Sequence, residues 1–156
     1  LKKFLLTIKN GEQSIETQRQ RLCAIETFEP LSSFQRIDRN IDMELNPLEI
    51  IRFLRENCIE NISEADCSNM ITYYKGLMRD DEVQLTLGFK EFLAIVIPLE
   101  SPALKDQVQR RPRNYDPGLG GHLDPRVERA LADLLEMEIL FHRLLETQKQ
   151  QMVSHK

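Results

Sequence analysis

Between Asp38 and Glu49 oxygen-bearing side chains recur at intervals that few folds can use. Asp38, Asn40, Asp42 and Glu49 stand at positions 1, 3, 5 and 12 of a twelve-residue window. Position 7, Glu44, offers its backbone carbonyl; position 8 is the apolar Leu45 and position 9 is Asn46. Oxygens at this spacing can surround a hard cation such as Ca²⁺, with Glu49 able to bind through both of its oxygens. Apolar residues flank the window, Phe34 and Ile37 before it and Phe53 and Leu54 beyond it. A helix–loop–helix with apolar inner faces is the expected local structure.

Start signals for further helices are frequent and strand signals are few, which predicts an all-α chain. Asn46-Pro47 places a capping side chain ahead of a proline at the first helical position. Ser63 and Asp66 have the spacing of a capping box, with Asp in place of the usual Glu or Gln. Asp124-Pro125 repeats the cap-then-proline pattern. The best alternating stretch runs from Val83 to Leu87. Four regions separate: residues 1–25, a lead closed by the turn signal Asn10-Gly11 and followed by a helix; 26–98, densely helical; 99–123, rich in Pro and Gly and expected to be an extended connector; and 124–156, a long amphipathic helix with a polar tail.

Over residues 26–98 the chain resembles the EF-hand superfamily of calmodulin and centrin type, on the strength of Asp38, Asn40, Asp42, Leu45 and Glu49 and their apolar flanks. The resemblance implies a pair of helix–loop–helix units joined by a short β-bridge at position 8, between Leu45 and Leu87. It also implies a metal site at Asp38, Asn40, Asp42, Glu44 (through its carbonyl) and Glu49. One departure weakens that site: position 6, glycine in the family, is Met43, and a side chain at positive φ costs about 1–2 kcal/mol. Loop 38–49 should therefore hold one Ca²⁺ weakly, or take another shape and hold none.

The second unit departs further. Counting back from Gly88-Phe89-Lys90-Glu91-Phe92-Leu93, with Glu91 at position 12, puts position 1 at Asp80, position 3 at Glu82 and position 5 at Gln84. Counting forward along the helix that begins at Ser63 puts position 1 at Lys75 instead, so an insertion within 75–82 is expected. A cationic head and a lengthened loop should not hold Ca²⁺. The pair would still bury Phe34, Ile37, Ile50, Phe53, Leu54, Met70, Ile71, Tyr74, Phe89, Phe92, Leu93 and Val96 in one core. Each large side chain buried contributes about 1.5–3 kcal/mol, so folding would not require metal. Ahead of the pair, Ile15, Leu22, Ile25 and Phe28 are spaced as one face of a packing helix.

In the last region Ala130, Leu134, Met137, Phe141 and Leu144 form a heptad-like seam, widened by Leu135, Ile139, Leu140 and Leu145. A stripe this apolar must be covered by the chain's own helices, by another subunit or by a second copy. Leu134, Phe141 and Leu145 are its candidate partner-binding residues. On the connector, Arg110, Arg111 and Arg113 form a basic cluster that is either solvated or laid on an acidic surface.

Little else suggests chemistry. The chain carries 21 Lys and Arg against 25 Asp and Glu, a net charge of −4, which disfavours nucleic acid as the main partner. No apolar run is long enough to span a membrane. Cys23, Cys58 and Cys67 form neither a disulfide framework nor a zinc spacing, which suits a reducing, cytoplasmic setting. The Gly118–Gly121 cluster lacks the Lys and Ser/Thr of a phosphate-binding loop, and His122, His142 and His155 have no ligand spacing. No enzyme is expected. The chain begins at Leu1 rather than Met, so its start says nothing of a targeting peptide. The order of parts, closing with Glu136-Met137-Glu138-Ile139-Leu140-Phe141-His142-Arg143, resembles degenerate EF-hand proteins of protist ciliary axonemes. That likeness implies a structural subunit of a multi-protein assembly in the cilium, with tubulin and other axonemal proteins as partners. The alternative is a Ca²⁺-responsive regulatory subunit that uses loop 38–49.

Overall fold

The computed structural model describes residues 2–76, 85–116 and 121–154. Within them lie seven helices and one two-stranded antiparallel bridge: α1 Lys2–Ala24, α2 Pro30–Ile37, β1 Glu44–Leu45, α3 Pro47–Glu56, α4 Glu64–Lys75, β2 Leu87–Gly88, α5 Phe89–Val96, α6 Pro102–Gln109 and α7 Pro125–Ser154. The all-helical expectation therefore holds for the described residues.

Local chemistry sets the helix starts. Asn46 Oδ1 accepts the Glu49 N–H at 2.8 Å, and Glu49 returns an oxygen to the Asn46 N–H at 3.1 Å, a reciprocal box at the head of α3. Ser63 and Asp66 close the same box on α4. An aspartate is thus long enough to replace the usual glutamate there. At α2 the cap is Glu29, whose carboxylate accepts from the Leu31 and Ser32 N–H groups, both at 2.8 Å. Gly76 ends α4 in the left-handed conformation (φ 65°), which costs glycine little.

One expectation about the start of the chain is corrected. Asn10-Gly11 does not turn; α1 runs through it as one helix of 23 residues. Gly11 serves instead to let α7 approach, since a Cβ there would lie 2.6 Å from Cε1 of Phe141. At the other end the polar tail beyond Leu145 continues α7 to Ser154.

The connector is likewise not extended throughout. Ser101 caps, and Pro102 opens, the eight-residue helix α6. Proline at the first helical position is harmless because its missing N–H would have had no helical partner. From Arg110 to Asp116 the chain is non-helical and lies against the start of the fold. Arg111 Nη1 donates to the carbonyls of Ile25 and Phe28, and Asn114 bonds to Thr27 O and Ser32 Oγ.

One core joins these elements. Phe34, Ile37, Ile50, Phe53, Leu54, Met70, Ile71, Phe92 and Val96 are buried, while Tyr74, Phe89 and Leu93 pack at its margin. Phe34 meets the edges of Phe89 and Phe92, each at 5.5 Å between centroids. Ile15 and Leu22 of α1 and Val127, Leu131, Leu134, Leu135 and Ile139 of α7 complete it. Helix α7 packs along α1 and α4 of its own chain. The β-bridge pairs Leu45 with Leu87 and Glu44 with Gly88, the register expected from the sequence.

Candidate functional site

Loop 38–49 runs from the end of α2 into α3. Asp38, Asp42 and Glu49 each bring a carboxylate oxygen to within 4.8 Å of the others. The loop is held closed from within. Asp38 accepts the N–H groups of Asp42 (3.3 Å) and Met43 (2.9 Å), Glu49 Oε2 accepts that of Asn40 (3.3 Å), and Asn40 Nδ2 donates to Asp42 (3.1 Å). Burial, with Asp42 and Glu49 close by, raises the Asp38 pKa. Three acidic oxygens drawn together at a proton-attracting site fit a hard cation, which Asp38, Asp42 and Glu49 would hold. The Asn40 amide nitrogen is engaged with Asp42, and Glu44 sits in the bridge. The backbone at Met43 has φ 63°, the left-handed turn expected at position 6, and Ile41 has φ 56°. A methionine and a β-branched isoleucine therefore occupy conformations that suit glycine.

The second loop's expected positions Asp80, Glu82 and Gln84, and most of the expected insertion, lie outside the described residues. Its two ends are described. Lys75 Nζ is 3.8 Å from Glu91 Oε1 and 4.0 Å from Glu44 Oε2, so the cationic head of this loop faces its closing glutamate and a residue of the first loop.

The candidate partner residues divide. Leu134 is fully buried inside its own chain and is removed from any partner surface. Phe141 is half-buried over Gly11. Together with Leu145 it lines an open cleft of about 1060 Å³ between α1, α4 and α7, whose other apolar walls include Phe4, Ile8, Ile15, Tyr73 and Leu99. Arg111 is spent on the Ile25 and Phe28 carbonyls. Arg110 is exposed and paired with Asp106 at 3.3 Å, and Arg113 is exposed with a bond to Gln35. The basic cluster thus presents two outward cations rather than three.

Two buried charge networks are less legible in the sequence. Arg36, sealed in the core, donates to Glu128 at 2.6 Å and lies 5.2 Å from the centre of the Phe53 ring; Glu128 also accepts from Asn57 and Leu123. Arg19 donates to Glu138 at 2.8 Å and to the Ile95 carbonyl at 2.7 Å, while Tyr74 donates to the same Glu138 oxygen at 2.6 Å. Burial and the facing Glu138 raise the Tyr74 pKa. Burial opposes ionisation of Glu16 as well, but Gln20, the N–H groups of Leu99 and Glu100, and Arg19 outweigh it and hold the carboxyl below its usual range. A signal existed: Glu128, Glu138 and His142 fall in phase with the apolar stripe of α7, and Arg19 with Ile15 and Leu22.

Burial pushes the thiols of Cys23 and Cys67 up to about 12, which leaves them poor nucleophiles. Comparison with protein-family models, curated proteins and solved structures finds no match to this chain.

Proposed function

We propose that the chain is a non-enzymatic structural module, a degenerate EF-hand pair that serves as a scaffold and interaction subunit of a larger assembly. One observation carries this reading. The apolar stripe of α7 is seated on α1 and α4 of the same chain, pinned to them by Arg19–Glu138 and Arg143–Asp66 and to α2 by Arg36–Glu128. In a Ca²⁺ sensor the cation opens an apolar groove for a target helix; here a resident helix already covers the hands. Partners would then meet the outer surfaces, among them the cleft lined by Phe141 and Leu145 and the exposed Arg110 and Arg113. The resemblance to axonemal proteins makes the ciliary microtubule the assembly to test first. Co-sedimentation with microtubules should weaken when Arg110 and Arg113 are both changed to Glu. Unchanged binding would take the connector out of the interface.

The alternative, a Ca²⁺-responsive subunit, has its own support in the convergence of Asp38, Asp42 and Glu49. Calorimetry separates the two. The structural reading expects little heat when Ca²⁺ is titrated into the chain. A saturable heat that disappears in Glu49→Gln would favour the responsive subunit.

A further inference from the structure

Reading residues 64–96 as the second hand raises the question of what balances its charge. Lys75 is the last residue of α4, and Gly76 caps the helix in the left-handed conformation directly after it. Its side chain is one-fifth exposed, as is that of Glu91. Below it lies the bridge, where Glu44 pairs with Gly88. Both glutamates lean over that glycine: a Cβ on Gly88 would lie 3.0 Å from Glu91 Oε2 and 3.7 Å from Glu44 Oε1. Thr86 Oγ1 donates to Glu44 Oε2 at 2.8 Å, which holds one of the two in place. Two carboxylates converging on one half-buried spot repel each other unless a cation stands between them.

We propose that the ammonium group of Lys75 is the second loop's own cation, seated between Glu91 of that loop and Glu44 of the first and closing the pair without metal. The separations of 3.8 and 4.0 Å are those of a charge shared by two carboxylates rather than of one direct hydrogen bond. A divalent ion in a second loop would be held by its closing glutamate; here that residue faces a cation the chain itself supplies. Because Glu44 belongs to loop 38–49, the same lysine ties the two loops together beyond their short bridge. This inference rests on the structural-module reading and specifies how the module dispenses with metal.

The test is thermal unfolding followed by circular dichroism, in a Glu49→Gln background that removes the first loop's closing ligand. Lys75→Met and Glu91→Gln should each lower the midpoint by about 2–4 °C. The two together should lower it no further than one alone, and Lys75→Arg should retain the parent value. Millimolar Ca²⁺ should raise the midpoint of Lys75→Met and leave that of the Glu49→Gln parent unchanged, because only the former leaves Glu44 and Glu91 without the charge of Lys75. Additive effects of Lys75→Met and Glu91→Gln would overturn the shared-charge contact. Coupled effects without rescue by Ca²⁺ would overturn the role as a cation substitute and leave a simple ion pair. Neither result bears on whether loop 38–49 binds Ca²⁺ in the unmodified chain, which the calorimetry above decides.

Discussion

Gly11 lies beneath the ring of Phe141, so close that a methyl group on it would stand 2.6 Å from Cε1 and 2.7 Å from Cδ1. The contact explains a glycine in the interior of a 23-residue helix, where it costs about 1 kcal/mol relative to alanine. Gly11→Ala should therefore act differently in two backgrounds. With Phe141 present, overpacking of about 1–3 kcal/mol cancels or exceeds the helical gain, and stability does not rise. With Phe141→Leu the ring is gone, and the same change should stabilise by up to about 1 kcal/mol. Urea denaturation of the four variants measures this, and equal effects in both backgrounds would refute the contact.

Asp66 binds Arg143 through both of its oxygens, at 3.0 and 2.7 Å, and thereby ties α4 to α7. Arg143, with the Ser63 N–H and hydroxyl, outweighs burial and holds the Asp66 pKa down to about 2. A depressed carboxylate stabilises the fold above its unfolded pKa, near 3.8, and this contribution is lost as pH falls from about 4 to about 2. Arg143 is 43 % exposed, so solvent screening reduces the contribution to about 1–2 kcal/mol. Asp66→Asn should remove this amount at pH 7 and flatten the stability profile between pH 4 and 2. An unchanged slope in denaturant midpoints over that range would count against the assignment.

The Arg36–Glu128 pair is buried on both sides, with 2 % and 8 % of the side chains exposed. Removing one member of such a pair costs about 3–5 kcal/mol, because the other charge stays buried, whereas replacing both with apolar residues costs far less. Glu128→Gln leaves Arg36 one oxygen of Glu56 and the ring nitrogen of His122, so its cost should fall at the lower end of that range. Glu128→Leu should reach the upper end, and Arg36→Met with Glu128→Leu should recover most of the loss. A double-mutant cycle in denaturant reads the coupling, and additivity would show that the pair does not act as a unit.

Met43 holds φ at 63°, so Met43→Gly should stabilise loop 38–49 by about 1 kcal/mol. Urea denaturation reads this gain, and because the turn is already left-handed without a cation, Ca²⁺ affinity should not rise with it. Asp38 adds a pH dependence of the opposite sign to that of Asp66. Its pKa is raised above the model-compound value by burial and by Asp42 and Glu49. The folded loop therefore holds a proton better than the unfolded chain does. Its contribution is greatest below the unfolded value of about 3.8 and fades as pH rises through the raised one. Ca²⁺ binding near that pH should release protons, and heats of titration should vary with the buffer's ionisation enthalpy; buffer-independent heats would rule out the linkage.

The helix starts and the core were the most legible parts of the fold. Caps at Asn46, Ser63 and Asp124 and the apolar faces are local properties, and Leu45 and Leu87 met as their spacing required. The loop's three converging carboxylates could be found the same way. Gly11 and Pro102 misled because their usual meanings, a turn and a break, assume no third element nearby. At Gly11 the third element is the ring on α7, and at Pro102 the proline opens a helix instead of interrupting one. Arg111 misled for another reason: a cation in a basic cluster can turn inward when carbonyls without helical partners lie within its reach, as those of Ile25 and Phe28 do. The buried networks required knowing that α7 folds back over α2 and α1; the α1 pairing crosses more than a hundred residues, and no local pattern encodes it.

That pairing has a consequence for synthesis. The bond from Gln18 to Ala130 spans 112 residues, and that from Arg19 to Glu138 spans 119. At about 5–20 residues per second, a ribosome leaves the apolar face of α1 without its cover for roughly 6–25 seconds, while helices α2 to α5 can already be collapsing. During that interval the exposed stripe is open to chaperones and to neighbouring nascent chains. Arg19, with its charge on a face meant for burial, is the residue that makes a premature apolar contact there unfavourable.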